Sequence, residues 1–361
     1  MNATLSTYWR EIASGRSTDL MARLLLTLML PLSGIYAYCQ KLRALLYKIG
    51  IFRTNKLPRP VISVGNITVG GTGKTPVTAY IARFLLEQNF RVAILSRGYG
   101  GSLEGETFVV SDGHSVMLSA AECGDEPYLL ASTIPGLMVV IGTDRYATGM
   151  LAMKQLSPDI FIMDDGFQHL RLHRDLNILL LDYVLPFGNG LTLPAGLLRE
   201  PEAAALRADI IIHTRCPEGV KLQYQLLGKP NIIAHHFLQN LEPFLGGSSI
   251  LLHELTGKRI LAFAAIAEPL SFFEGLQNHG LQLVHKIAFS DHSPYTVEKQ
   301  HEILAAVRSE SIDYLITTAK DAVKLEGIPD ELARRIYVAN LELVIDDADV
   351  LNKRVINLLQ K

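Results

Sequence analysis

The fold is decided by the stretch Val61-Ile62-Ser63-Val64-Gly65-Asn66-Ile67-Thr68-Val69-Gly70-Gly71-Thr72-Gly73-Lys74-Thr75. It opens with a short apolar run, which predicts a buried strand, and it ends in a glycine-rich turn at the start of a predicted helix. Glycines in such a turn let backbone N–H groups close around phosphate oxygens, and the helix N-terminus adds a partial positive charge. The stretch therefore predicts the phosphate loop of a nucleoside triphosphate site.

Each residue of this loop has an expected role. Lys74 is expected to reach the β- and γ-phosphates of ATP, and the Thr75 hydroxyl is expected to bind Mg²⁺. The pattern G-x-x-x-x-G-K-[ST] would place glycine where this chain has Thr68, and the additional glycines are expected to supply the tight turn instead. A purely structural turn is the alternative, but strand, glycines, lysine and threonine together favour nucleotide binding. The predicted cradle consists of Thr68, Gly70, Gly71, Thr72, Gly73, Lys74 and Thr75.

A second anchor lies about ninety residues later, where the apolar run Ile160–Met163 ends in Asp164 and Asp165. In phosphate-loop enzymes an aspartate at a strand end holds Mg²⁺ beside the loop hydroxyl. A strand-end turn is the alternative, because Asp-Gly is a common turn dipeptide. Downstream of a phosphate loop the metal site is favoured, and both aspartates join Thr75 as predicted Mg²⁺ ligands.

Alternation of short Val- and Ile-rich runs with segments of helical period predicts an α/β fold: a doubly wound, mostly parallel sheet of the P-loop NTPase type. The pattern restarts after the turn-rich stretch that begins at Glu242. We expect a helical membrane-associated segment at 1–50, a kinase core at 51–242 and a smaller α/β domain at 243–361 that closes the cleft. The first predicted strands are Val61–Val64, Val92–Leu95, Met138–Ile141, Ile160–Met163, Ile178–Leu181 and Ile210–His213.

Bulk composition excludes some partners. The net charge of the 361 residues is −2, which gives no electrostatic basis for binding nucleic acid. The three cysteines, Cys39, Cys123 and Cys216, lie far apart and match neither a disulfide framework nor a metal-ligand spacing. We therefore expect a reducing, cytoplasmic compartment, no nucleic acid partner, and no obligate protein partner.

One strongly apolar stretch, Leu24–Tyr38, has basic residues on both flanks. A helix of about fifteen residues spans roughly 22 Å, short of a ~30 Å hydrocarbon core, and Pro31 is expected to break or kink it. A transmembrane crossing is therefore disfavoured. A buried core helix is the alternative, but basic flanks around an apolar middle favour a helix that lies in the membrane interface.

Several further segments occur in a specific order, and together with the phosphate loop they resemble the tetraacyldisaccharide 4′-kinase family, the lipid A 4′-kinases of Gram-negative bacteria. The resemblance implies transfer of the ATP γ-phosphate to the 4′-hydroxyl of tetraacyldisaccharide 1-phosphate at the cytoplasmic face of the inner membrane. The segments that carry it are Ser96-Arg97-Gly98-Tyr99-Gly100, Gly124-Asp125-Glu126-Pro127, Asp164-Asp165-Gly166-Phe167-Gln168-His169, Leu193-Pro194-Ala195-Gly196, Leu198-Arg199-Glu200-Pro201, Asp291-His292 and Lys320-Asp321-Ala322-Val323-Lys324.

The resemblance also implies catalytic roles. Asp125 would be the general base that accepts the hydroxyl proton, and His292 would support it as a dyad partner from across the domain cleft. Arg199 would stabilise charge on the transferring phosphoryl group, as Lys74 does from the loop. From the residues alone, Asp125 reads as a helix start and His292 as part of a turn. For Arg199, an ion pair with Glu200 or Glu202 and contact with the phosphoryl group are equally open, and the same two alternatives apply to Arg97 and Arg145.

Two departures and one rival reading remain. The chain has Ala319 where the family commonly has glutamate, and Ala265–Pro269 replaces a turn that commonly contains Gly-Ile. The loop also resembles that of membrane-associated partition ATPases, which act as switches. Those proteins carry a signature lysine where this chain has Val69, and they attach through a C-terminal helix rather than an N-terminal one. A noncatalytic nucleotide-binding module is a third reading, against which the retained lysine and carboxylates argue.

Overall fold

The computed structural model describes residues 3–17, 19–217, 219–220, 222 and 228–360. Its strands are β1 (Val61–Asn66), β2 (Val92–Ser96), β3 (Phe108–Asp112), β4 (Met138–Ile141), β5 (Ile160–Asp164), β6 (Leu176–Asp182), β7 (Ile210–Thr214), β8 (Asn231–Pro243), β9 (Ile250–Leu251), β10 (Ile260–Ala264), β11 (Leu283–Ala288), β12 (Tyr314–Thr318) and β13 (Ile336–Ile345). Its helices are α1 (Ala3–Ala13), α2 (Leu20–Lys48), α3 (Lys74–Glu87), α4 (Ala120–Cys123), α5 (Asp125–Thr133), α6 (Arg145–Gln155), α7 (Pro269–Asn278), α8 (Val297–Glu310), α9 (Ala319–Ala322), α10 (Asp330–Ala333) and α11 (Ala348–Ile356).

The strands form one continuous sheet in the order β11-β10-β12-β13-β8-β7-β6-β1-β5-β2-β4-β3, with β9 paired to β8. From β7 to β4 every neighbouring pair is parallel, as are the pairs from β11 to β13. β1, which precedes the phosphate loop, lies between β6 and β5 and is buried along its whole length. The carboxyl ends of β1 and β5 therefore meet at one edge of the sheet, where a nucleotide site is expected in an open α/β fold.

Helices cover both faces of this sheet, which confirms the doubly wound fold. On one face α3 packs its buried residues against β1 and β5, and on the other a cluster that includes Phe161, Met163 and Leu172 joins the sheet to α6. The near-continuous Val, Ile and Leu of the central strands follow from burial on both faces. The sheet thus holds the strand ends rigidly while the loops that follow them carry the polar chemistry.

All six strands predicted for the first part of the chain are present, as are the three expected in the second part at Ile260–Ile266, Leu283–Ile287 and Tyr314–Thr317. Strands β3, β8, β9 and β13 were not predicted. Both β3 and β13 mix buried with exposed positions, and β3 is an antiparallel edge strand, so neither has the continuous apolar run that marks a central parallel strand. Only tertiary pairing identifies them.

The predicted length of the N-terminal apolar helix is wrong. Helix α2 runs without interruption for 29 residues, roughly 44 Å at the α-helical rise, and Pro31 lies inside it. The error arose because the apolar run ends at Tyr38, while the helix continues through the basic and polar residues that follow, which are good helix formers. Within the described residues α2 is the one helix that is long and apolar enough to cross a membrane by length and composition.

The division of the chain at residue 242 stays a prediction. Strand β8 pairs in parallel with β7 through Asn231–Ile233 and then antiparallel with β13 through Ala234–Pro243, so it belongs to both halves of the sheet. The last helix, α11, returns to the first half, where Leu351 and Val355 join the core around α3. Two connections therefore link the halves on the side of the sheet beside the phosphate loop.

Candidate active site

The phosphate loop follows β1 and leads into α3, which begins at Lys74. Gly70 has φ +122° and Gly73, the residue before the helix, has φ +71°, which side chains rarely adopt. A Cβ on Gly73 would also lie 2.8 Å from the His236 ring. These two positions require glycine, and the turn that Thr68 does not make is made by Gly70.

Position 68 does not require glycine, because the segment around Thr68 is held in an extended conformation. Val69 N donates to the Leu197 carbonyl over 2.8 Å, Arg199 N donates to the Ile67 carbonyl over 2.7 Å, and Thr68 pairs with Leu198 in an isolated bridge. The loop is thereby tied to the Leu198-Arg199-Glu200-Pro201 segment. This pairing brings Arg199 to the carboxyl end of β5.

Two carboxylates lie at that end of the sheet. Asp164 is the last residue of β5, is nearly fully buried and accepts from the Thr78 hydroxyl at 3.3 Å. Asp165 follows with φ +52°, and its two oxygens face Lys74 Nζ at 3.8 Å and Arg199 Nη1 at 2.8 Å. The predicted turn is therefore present at the end of β5, and the carboxylate that forms it also lies between two positive charges.

The two carboxyl groups differ in electrostatics. Burial, together with the negative charges of Glu126 and Asp165, raises the pKa of Asp164 to about 7. Desolvation also pushes the pKa of Asp165 upward, but Lys74 and Arg199 outweigh it and hold that pKa below its usual range. One carboxyl is thus ready to release a proton when a cation arrives, and the other is already an anion.

Several polar atoms around the loop are buried and have no hydrogen-bond partner within the described part of the chain. They are Asp165 Oδ1, Thr72 Oγ1, Asn66 Oδ1 and His169 Nε2. Orphaned buried polar groups are rare in folded proteins and call for a bound partner. A phosphate and its Mg²⁺ supply both kinds of partner, so this site fits the predicted ATP and Mg²⁺.

No group of three or more His, Cys, Asp or Glu among the described residues could hold a metal ion by itself. Mg²⁺ in phosphoryl-transfer sites is usually held by one or two carboxylates together with substrate phosphates. Thr75, Asp164 and Asp165 match that smaller donor set. They would hold the ion only together with a nucleotide.

The other predicted catalytic pair is also brought together. Asp125 is the first residue of α5, and its Oδ2 lies 3.1 Å from His292 Nδ1 although the two are 167 positions apart. Burial pushes the pKa of Asp125 upward, but the His292 hydrogen bond and the Lys324 ammonium, 3.5 Å away, outweigh it and lower the net pKa. Asp125 is therefore an ionised carboxylate, the form required of a base.

A layer of charge surrounds this pair. Lys320 Nζ lies 2.9 Å from Glu126 Oε1 and 3.3 Å from His292 Nε2. The Tyr99 ring lies edge-on to the His292 ring, with centroids 5.3 Å apart. Because Asp125 and Glu126 come from the first half of the sheet and the other charged residues from the second, these contacts join the two halves.

The two clusters share one electrostatic environment, since the charge of Glu126 contributes to the raised pKa of Asp164. Glu126 follows Asp125 at the start of α5, so this end of α5 lies close enough to Asp164 for their charges to interact. Such proximity is what transfer between a phosphate in the loop and an acceptor hydroxyl near Asp125 would require.

Arg199 does not form the expected ion pair with a neighbouring glutamate. It contacts Asp165, whereas Glu200 pairs with Arg207. Arg97 is exposed and pairs with Glu104, and Arg145 is buried, donating to the Gly142 carbonyl. Of these three arginines, Arg199 is the one with a described ion pair to a predicted metal ligand.

Sequence reasoning assigned no role to Lys320, Lys324 or Glu126, although all three lie in segments that carried the family resemblance. His236, whose ring covers Gly73, had no such signal. For Lys320, Lys324 and Glu126 the available clue was that each is a charged residue inside one of these segments. For His236 only the pairing of β8 beside the loop reveals the contact.

Comparison with known proteins gives a consistent result. The family model described as tetraacyldisaccharide-1-P 4′-kinase matches residues 25–360. A tetraacyldisaccharide 4′-kinase of Pelobacter propionicus is 56% identical over all 361 residues, covering 100% of both chains. One of Geobacter sulfurreducens is 51% identical over 93% of this chain and 94% of its own. Among solved structures, LpxK from Aquifex aeolicus in complex with ATP is 35% identical with a TM-score of 0.77, covering 93% of this chain and 99% of that one.

Proposed function

Because the chain belongs to the tetraacyldisaccharide 4′-kinase family and is an ATP-dependent kinase of tetraacyldisaccharide 1-phosphate in lipid A biosynthesis, we propose that Asp125 is its general base. The observation that supports this assignment is the contact between Asp125 Oδ2 and His292 Nδ1 at 3.1 Å. It leaves one carboxylate oxygen for the acceptor 4′-hydroxyl, whose proton must be removed as the phosphoryl group is transferred.

The loop residues carry the other half of the reaction. Backbone N–H groups from Gly70 to Thr75 and the N-terminus of α3 would hold the phosphates, and Lys74 would contact the β- and γ-phosphates. Lys74 and Arg199 both form ion pairs with Asp165, so both cations lie beside the expected position of the γ-phosphate. Arg199 would stabilise the charge that develops on the equatorial phosphoryl oxygens.

We propose that Mg²⁺ binds at this site together with ATP. When bound, it would neutralise charge on the β- and γ-phosphate oxygens. Thr75, Asp164 and Asp165 are the side chains proposed to hold it, and the orphaned Asp165 Oδ1 supports this. Asp164 must lose a proton before it can act as a ligand.

We expect the affinity for Mg²⁺ to rise roughly tenfold between pH 6 and pH 8, because a carboxyl with a pKa of about 7 changes from mostly protonated to mostly ionised over that interval. Calorimetric titration of Mg²⁺ into the protein with a nonhydrolysable ATP analogue would measure it. An Asp164→Asn variant provides the control, since the titration of the nucleotide itself is common to both proteins. An equal pH dependence in the two proteins would remove Asp164 from the metal site.

The contacts of α2 support an interfacial placement of this helix. Ser33 Oγ donates to the Thr192 carbonyl at 2.8 Å, Tyr36 Oη to the Arg199 carbonyl at 2.9 Å, and Arg43 Nη2 to the Gln168 carbonyl at 3.0 Å. Ala22, near its start, is also buried. One face of α2 thus packs on the body along most of the helix, which a crossing helix in this position could not do without drawing polar surface into lipid.

The opposite face of α2 is apolar and exposed at helical spacing. We propose that this face lies in the cytoplasmic interface of the inner membrane, with basic residues near the helix ends contacting lipid headgroups. Since the helix also contacts Arg199 and Gln168, this placement puts the active site at the membrane surface, where an acylated acceptor resides. The exposed face consists of Leu24, Leu28, Leu32, Ile35, Tyr38, Leu42, Leu45 and Ile49.

Replacing Leu28 and Leu32 together by aspartate should shift much of the protein from vesicles to the soluble fraction while ATP affinity stays unchanged. Each leucine is more than half exposed and lies on α2, outside the phosphate loop. Cosedimentation with vesicles containing anionic lipid would measure partitioning. A double aspartate variant at Val297 and Val350, apolar and exposed residues of α8 and α11, is the matched control. Equal partitioning of both variants and the parent would contradict the assignment of this face.

The direct test of the function is transfer of labelled γ-phosphate from ATP to tetraacyldisaccharide 1-phosphate in detergent. Label on the 4′ position is the expected result. A partition-type switch would instead hydrolyse ATP without labelling the lipid. Val69, which stands where such switches carry their signature lysine, donates its N–H to the Leu197 carbonyl as part of the loop's extended segment.

A further inference from the structure

The short helix α9 carries a lysine that contacts the catalytic pair. Lys320 is the second residue of this short helix, and Thr318 caps the helix by accepting from Asp321 N. The Lys320 ammonium contacts Glu126, across the interface between the two halves of the sheet, and also the His292 ring. Among the described residues, the hydrogen bonds and ion pair of Lys320 go to Glu126 and His292 and not to the phosphate loop, so nucleotide binding does not explain its place in the site.

The nitrogens of His292 have different neighbours. Nδ1 faces Asp125 Oδ2 at 3.1 Å, and Nε2 faces Lys320 Nζ at 3.3 Å. Asp291 Oδ1 lies 3.8 Å from Nε2, beyond hydrogen-bond distance, and the Tyr99 ring meets the imidazole edge-on. The hydrogen-bonding state of Nε2 therefore depends on Lys320.

An ammonium group has three donors and no acceptor, so it can pair with Nε2 only when that nitrogen carries no proton. Burial alone would lower the pKa of Lys320, but Glu126 outweighs it and holds the pKa above its usual value, so the ammonium form is retained. A protonated imidazolium ring would instead direct its Nε2–H at the Lys320 ammonium, which has no acceptor for it. The arrangement favours the neutral ring with its proton on Nδ1, directed at Asp125.

We propose that Lys320 is a positioning residue that selects the neutral Nδ1–H tautomer of His292. The selected ring donates to Asp125 Oδ2 and leaves the other carboxylate oxygen free to accept the proton of the acceptor hydroxyl. The inference rests on the proposed role of Asp125 and adds to it the residue that orients the pair. Lys324, 3.5 Å from Asp125 and 2.9 Å from Asp321, supplies charge to the carboxylate but has no recorded contact with the ring.

The tautomer can be read directly, without activity, from long-range ¹H–¹⁵N correlations of the full chain labelled at histidine nitrogens in detergent. The His292 signals are assigned by their loss in His292→Ala. We expect the parent protein to show a protonated Nδ1 and an unprotonated Nε2. We expect Lys320→Met, which keeps the apolar stem but removes the donors, to show a proton on Nε2. Lys320→Arg should retain the parent pattern.

Kinetics supply the second readout. Lys320→Met should lower kcat roughly tenfold to a hundredfold, part of the contribution of a well-placed base, while the KM for ATP stays unchanged. Lys320→Arg should recover most of the loss. Lys286→Met is the matched control, because Lys286 is an exposed lysine of the same half that donates to Gln277, and its kcat should equal that of the parent.

A parent protein with its proton on Nε2 would overturn the inference, whether or not Lys320→Met folds. So would a folded Lys320→Met protein with the parent nitrogen pattern or the parent kcat. Failure of the proposed role of Asp125 looks different: Asp125→Asn would keep the parent kcat, whatever the tautomer of His292. The two ideas can therefore fail separately.

Discussion

Lys74→Ala should lower kinase turnover by about a thousandfold or more while the protein stays folded, since phosphoryl transfer depends almost entirely on positioning and charge stabilisation. Lys74 lies at the first position of α3, and its ammonium faces Asp165 at 3.8 Å. Removing it takes away the contact with the β- and γ-phosphates, yet Asp165 keeps its shorter ion pair with Arg199. The loss should therefore appear in kcat rather than in stability.

Thr75→Ala and Asp165→Ala should have losses of similar order, because each removes a proposed Mg²⁺ ligand from a site that has few of them. The measurement is turnover at saturating ATP and lipid, alongside thermal unfolding of each variant. Lys353→Ala, an exposed lysine in α11, is the control for loss of a positive charge. Near-parental turnover by a folded Lys74→Ala protein would refute the assignment of the loop.

Removing either Asp125 or His292 should cost much of kcat with little change in ATP affinity, and removing both should cost scarcely more than the worse single change. The two side chains are in hydrogen-bond contact, and residues that act as a unit are not additive. The experiment is a double-mutant cycle of Asp125→Asn and His292→Ala at saturating ATP. Multiplicative losses would show that the residues act independently.

The pH profile provides a second signature of this pair. The His292 hydrogen bond is the strongest of the contacts that lower the pKa of Asp125 against the opposing effect of burial. A base is active when deprotonated, so at saturating Mg²⁺ the parent rate should fall only at low pH, and His292→Ala should move that acidic limb to higher pH. An unmoved limb would leave His292 as a turn residue with φ +57° that merely lies beside the base.

The elements whose identity depends on local pattern were predictable from the sequence. A central strand buried on both faces is mostly apolar, and a phosphate loop must have glycine where φ is positive, as at Gly70 and Gly73. These requirements act within a few residues, so β1, α3 and the carboxylates after β5 could be located directly. The family resemblance then named Asp125, His292 and Arg199 as candidates, and the structure shows their contacts.

The remaining features depend on contacts between residues that are far apart in sequence, to which local patterns are blind. The antiparallel edge strand β3, the long strand β8 shared by both halves, and the partner of Arg199 were all decided in this way. So was the contact of Lys320 with His292, because a lysine on a short helix looks the same in sequence whether it meets solvent or an imidazole. The sequence by itself determined the central parallel strands, the loop and the chemical types at the site. Only tertiary packing decided which charges meet, since distance and desolvation, rather than order along the chain, set their interaction.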